Sequence, residues 1–105
     1  MSHDQPTVFE RTVKIGENGR HRDISVRIFS PTRSDALSDT APWKCACSIG
    51  ELHSETTTLF GEDALDALLN CLRFIRRVVE RTGPSSEQVW WLEEGDRGGF
   101  PLLED

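Results

Sequence analysis

Residues 62–82, EDALDALLNCLRFIRRVVERT, decide the fold, because no other stretch is long and periodic enough to demand a helix. Leu65, Leu68, Leu72, Ile75 and Val79 form one apolar row, and Ala64, Ala67, Cys71, Phe74 and Val78 form a second beside it. Both step by three and four, which is helical spacing. Together they make a wide stripe that needs a broad partner. Asp63 and Asp66 stand in the first turns and Arg73, Arg76, Arg77 and Arg81 toward the end, the direction the helix dipole favours. Gly83 and Pro84 follow as a stop signal. Such a helix is roughly 30 Å long, about the width of a small domain, so one helix can cover a small sheet. Burying the five large residues of the first row would contribute on the order of 8–15 kcal/mol gross, an upper bound because the unfolded chain is itself partly compact.

Working outward, the segments on either side alternate with period two. Over 7–15, Phe9, Val13 and Ile15 share one side with Arg11 as an interruption, and Glu10, Thr12 and Lys14 take the other, as in a half-buried strand. Asn18-Gly19 supplies residues that tolerate a hairpin turn, and 22–30 follows with Ile24, Val26 and Ile28 on one face. The stretch SPTRSDALSDTAP reads as a connector rich in turn formers, with a short helical turn near Ala36 and Leu37. Residues 43–49 place Trp43, Cys45, Cys47 and Ile49 on one face and Lys44, Ala46 and Ser48 on the other. A threonine-rich strand over 54–60 leads through Gly61 into the helix, and 88–92 forms a short strand beyond it. The order β-β-β-β-α-β predicts an α+β fold: a four-stranded antiparallel meander, one long helix packed on one face, then a short fifth strand. The chain is expected to be one domain over 1–105, with a polar amino-terminal tail at 1–6 and an irregular carboxy-terminal tail at 93–105.

Composition narrows the function classes. A charged share of 29% and a net charge of -6 over 105 residues disfavour nucleic-acid binding, which normally shows a basic excess. No apolar run is long enough to span a membrane, and MSHDQPTVFE lacks the regions of a signal peptide, so a cytoplasmic location is expected. Three cysteines, an odd number at low density, fit reduced thiols better than a disulfide framework.

The candidate sites are few. Cys45 and Cys47 share a strand face and could join His53 or Cys71 around a metal, but C-x-C without a second pair is not zinc spacing, and buried core thiols are the expected role. His3, His21 and His53 are scattered, and no G-x-S-x-G, H-E-x-x-H or phosphate-binding glycine loop accompanies them. Glu93, Glu94 and Asp96 cluster beside Arg97; paired carboxylates can divide acid and base work, although a solvated acidic loop explains them too. Arg73 and Arg77, with Arg76 and Arg81, could grip an acidic group, while helix-end electrostatics account for the same pattern.

Glu10-Arg11-Thr12, Trp43-Lys44-Cys45, the run 61–68 (GEDALDAL), and Gly95-Asp96 with Phe100-Pro101 together resemble a family of small bacterial proteins catalogued only as a domain of unknown function. The resemblance covers roughly 9–101. It implies a bacterial, cytoplasmic, stand-alone domain and carries no activity, cofactor or catalytic residue.

Two functional classes follow. The first is a non-enzymatic acidic protein-binding module, an adaptor or immunity-like protein, with neither cofactor nor metal. The second is a small enzyme or ligand carrier using Glu93, Glu94 and Asp96, or the Cys45 and Cys47 pair. The partner expected for the first is another protein or a second copy of the chain, with no nucleic acid and no membrane. Its candidate contact residues are Trp90, Trp91, Phe100, Arg73 and Arg77. Trp90 and Trp91 are adjacent on a strand and must point to opposite faces. Only one of them is therefore expected beneath the helix, the other standing on the open face with Val8, Phe29 and Ala46, covered by the tail or by a second copy.

Overall fold

Alternation and turn chemistry build the sheet largely as the sequence predicts. The computed structural model describes residues 6–17, 20–53, 55–81 and 88–92. Their elements are β1 (Thr7–Glu17), β2 (Arg20–Phe29), β3 (Thr32–Arg33), β4 (Trp43–Ser48), a 3-10 turn (Gly50–Leu52), β5 (Thr57–Gly61), α1 (Ala64–Arg81) and β6 (Gln88–Trp90). The fold is α+β, an antiparallel sheet with one helix and a further strand after it.

β1 and β2 pair from Glu17↔Arg20 outward, which leaves only two residues for the turn between them. Asn18 and Gly19 themselves lie outside the described residues. The pairing slips by one residue between Thr7 and Phe9, a bulge that sets Val8 out of register. β5 lies along one edge of β4 from Trp43↔Gly61 to Cys47↔Thr57, while β2 and then β3 take the other. β6 closes the far side of the sheet, pairing with β1 over Lys14–Gly16. Because every pairing is antiparallel, β5 and β6 run the same way at opposite edges, and α1 crosses between them.

β3 is a two-residue strand inside what the sequence presents as a connector. Thr32 and Arg33 pair with Lys44 and Trp43, and Ser34 N–H donates to Pro42 O at 2.8 Å, so the 34–42 segment is a hairpin loop. The turn near Ala36 and Leu37 does form, with Ser38 N–H bonded to Asp35 O and Leu37 N–H to Asp35 Oδ1.

The core is the face of the sheet carrying Val13, Ile15, Ile24, Val26, Ile28, Cys45, Cys47, Ile49 and Val89, closed by Ala67, Cys71, Ile75 and Val79. Here the helix departs from the expected orientation. Leu65, assigned by spacing to the buried row, is 61% exposed, and Leu68 and Leu72 are only partly buried. The residues at the centre are small. Ala67 and Cys71 let the helix approach β4 and β5 closely, and Gly61 completes the approach, since a Cβ there would stand 2.3 Å from the Ala67 nitrogen. Close contact through small side chains turns the helix so that the leucines flank the interface. Asp63 caps the first turn by accepting from Asp66 N–H at 2.8 Å, and Asp66 reaches back to Glu62 N–H at 2.9 Å, a close relative of the capping box.

Candidate functional site

The three thiols are core residues. Cys45 and Cys47 alternate onto the helix-facing side of β4 and Cys71 descends from α1, each at most 1% exposed. Cys71 Sγ donates to Cys45 O at 3.1 Å and Cys45 Sγ to Phe29 O at 3.3 Å. Contact with Cys45, then with Cys47, then burial push the Cys71 thiol far above its ordinary range. Cys45 is drawn the other way by Cys71, against its own burial. A reactive cysteine needs access and thiolate character. Cys71 has neither. His53 does not join the thiols, its ring packing edge-on against Phe74 at 5.4 Å between centroids. Among the described residues no group of three or more His, Cys, Asp or Glu is arranged to hold a metal.

Of the candidate contact residues, Arg73, Arg77 and Trp91 are described with their side chains. Arg73 Nη1 donates to Asn70 Oδ1 at 2.8 Å, and Asn70 Nδ2 to Phe60 O at 2.7 Å, a brace from helix to β5. Arg76 pairs with Glu80 one turn on at 3.0 Å, and Arg77 is exposed. Trp91 stacks on the Arg11 guanidinium, 3.6 Å from its carbon to the ring centroid, a cation–π contact. Arg11 shares its side of β1 with Val13 and Ile15, which is why it interrupts the apolar alternation. Val89, two residues before Trp91, is buried on that same side. Trp90 pairs through its backbone with Lys14. Its side chain lies outside the described residues, as do Phe100 and the Glu93, Glu94 and Asp96 cluster.

A different surface emerges from the register. Arg33, Trp43 and Gly61 stand side by side across β3, β4 and β5, so the 34–42 loop and the start of α1 lie at one end of the sheet. That end exposes Leu37 (98%), Leu65 and Phe60 (53%). It also carries Asp35, Asp39, Glu62 and Asp63 exposed, with Asp66 half-buried. Arg33 holds the base of the loop, Nη1 donating to Asp39 O at 3.0 Å and Ala41 O at 3.2 Å, with its guanidinium carbon 5.2 Å from the Trp43 ring centroid. Spacing alone could not single out these residues. Leu37 sits in a stretch that reads as linker, and Leu65 reads as core.

The open face of the sheet mixes polar and apolar groups: Thr12, Lys14, Ser25 and Arg27 share it with Phe29, Ala46 and Phe60. Glu10 and Arg27, direct partners across β1 and β2, form an ion pair at 2.7 Å with both side chains about half exposed, an arrangement worth little net stability. Among the described residues no helix is long and apolar enough to cross a membrane.

No curated protein and no solved structure is detectably similar to the chain. A family model does match, over residues 9–102 and so through every strand and the helix, and on that match the chain belongs to the family described as Domain of unknown function (DUF6968).

Proposed function

We propose that this protein is a non-enzymatic protein-binding module of the bacterial cytoplasm, an adaptor or immunity-like protein that engages another protein through the end of the sheet where the 34–42 loop meets the start of α1. The observation that supports this reading is that Leu37, Phe60 and Leu65, all more than half exposed, lie toward the same end of the sheet as Asp35, Asp39, Glu62 and Asp63, on the loop, the edge strand and the helix start respectively. Single exposed apolar residues are ordinary, and what favours an interaction surface here is that three large ones fall at one end of the fold together with exposed carboxylates. The acidic rim favours a basic partner and speeds encounter more than it adds affinity.

The reading is tested by capture from the native cell with a tagged chain, followed by titration of each captured protein against the purified chain. A one-to-one complex that weakens as salt rises is expected. A capture in which no protein reforms a complex from purified components would count against the module.

A further inference from the structure

The 34–42 loop is more ordered than its contribution to the core explains. Its closure uses Ser34 N–H to Pro42 O. Its base uses both Arg33 bonds to the Asp39 and Ala41 carbonyls. Its apex is an Asx turn, Leu37 N–H to Asp35 Oδ1, followed by Ser38 N–H to Asp35 O. Its return arm is held by Thr40 N–H to Ser38 Oγ and by the two hydroxyls of Ser38 and Thr40 at 3.2 Å. Fixing a backbone is costly in conformational entropy, and a loop usually recovers that cost by burying side chains. This one does not. Residues 34–37 are all exposed, and Leu37 at its apex is 98% exposed. An apolar side chain held clear of its own fold on a hydrogen-bonded turn has its ordering cost met before any partner arrives, which is what preorganisation means for affinity.

We infer that the 34–42 loop is a preformed docking prong, with Leu37 entering an apolar pocket on a partner protein and Asp35 and Asp39 meeting Lys or Arg at the rim of that pocket. The inference rests on the protein-binding reading and narrows it to one loop, one anchor and one partner chemistry. Asp35 and Asp39 flank Leu37 with no basic residue between Ser34 and Pro42, so charge complementarity selects a basic rim and opposes an acidic one. Arg33 is a positioning residue. It touches the loop carbonyls and Trp43, and acts by holding the apex in place.

The test places the photo-cross-linker benzoylphenylalanine singly at position 37, 9 or 65 of the full chain in its native cell, with thermal melts confirming that each variant folds. A discrete cross-linked partner at position 37 is expected. Titrated as a purified protein, that partner should bind Leu37→Ser at least tenfold more weakly, Arg33→Gln several-fold more weakly, and Phe9→Ser unchanged. Cross-linking from position 9 or 65 but not 37 would overturn the prong and leave the binding module standing. No cross-link from any position would overturn both. A partner that binds Leu37→Ser as tightly as the parent, or whose contact surface is acidic, would overturn the assignment of anchor and rim.

Discussion

The orientation of α1 can be tested by two truncations that the apolar spacing treats as equivalent and the structure does not. Ile75 is fully buried at the centre of the core, while Leu65 is 61% exposed. Ile75→Ala removes three carbons from a site with no solvent access. At about 0.8 kcal/mol per buried methylene, plus a cavity contribution, the expected loss is roughly 2–5 kcal/mol. For a domain of this size each kcal/mol lowers the melting temperature by about 4–8 °C, so about 3 kcal/mol corresponds to a fall of roughly 12–24 °C. Leu65→Ala gives up little buried area and gains helix propensity, so its effect should stay within about 0.5 kcal/mol. Urea unfolding followed by circular dichroism, with thermal melts in parallel, gives both numbers. Equal losses from the two variants would mean that Leu65 faces the sheet as Ile75 does, and the account of close approach through Ala67, Cys71 and Gly61 would fail.

Gly61→Ala should destabilise by more than an ordinary glycine-to-alanine change, because the new Cβ meets the Ala67 nitrogen and the Asp66 carbonyl carbon, both backbone atoms; a melt unchanged from the parent would show that the helix start can shift freely. Asp63→Ala should cost about 0.5–2 kcal/mol through loss of the cap to Asp66 N–H, while Asp63→Asn should retain most of it, a comparison made by denaturant unfolding. The raised Cys71 thiol works against stability at alkaline pH, and Cys45, shifted the other way by the same contact, offsets part of that in the parent. The folded Cys71 thiol resists ionisation while an unfolded one ionises near about pH 8.5, so above that pH the unfolded state binds fewer protons and stability falls as pH rises. One such thiol gives a slope of about 1.4 kcal/mol per pH unit. Unfolding series from pH 7 to 10 on the parent and Cys71→Ala should show the decline become shallower in the variant.

The sequence carries the elements more clearly than their contacts. Asp63 and Asp66 mark the helix start because a carboxylate at those positions can accept the first free N–H groups, and the structure uses both. Val13, Ile15, Ile24, Val26 and Ile28 declare their face because period two leaves no other burial pattern open. β3 is illegible for the converse reason: two residues cannot display a period, and Thr32-Arg33 become a strand only because β4 offers them partners. The turn of α1 about its axis is hidden because the wide stripe does not show which members are central: the buried line Ala67, Cys71, Ile75 and Val79 takes two residues from each row, and Gly61, a residue outside the helix, leaves room for the close approach. The glycine at position 50 takes φ +58 with its Cα hydrogen side against Ile24, where a Cβ would lie 2.6 Å from Cγ2, a demand that spacing does not display. Leu37 could not be read as a display residue from composition, since its exposure depends on a loop closed by Arg33 and Pro42.

Net charge looks like a property of the whole chain, and its distribution changes what it can argue. Residues 93–105 hold Glu93, Glu94, Asp96, Glu104 and Asp105 against Arg97 alone, so most of the acidic excess belongs to that segment and little of it to the sheet and helix. Within the described fold, both ends carry both signs: Arg33 and Lys44 stand at the end that holds Asp35, Asp39, Glu62 and Asp63, and Glu17 and Asp23 at the hairpin end. The strand register puts Arg20 and Arg22 at the hairpin end, and the direction of α1 carries Arg77 and Arg81 away from the end that holds Asp35, Asp39, Glu62 and Asp63. The carboxylates that could orient a partner are therefore the local ones on the 34–42 loop, which has no basic residue between Ser34 and Pro42. At physiological salt the Debye length is about 8 Å, so the 93–105 charges act on encounter only from nearby, whereas carboxylates at a contact keep their effect. Discrimination then falls to the groups that desolvate, and at that end of the fold the most exposed of these is Leu37.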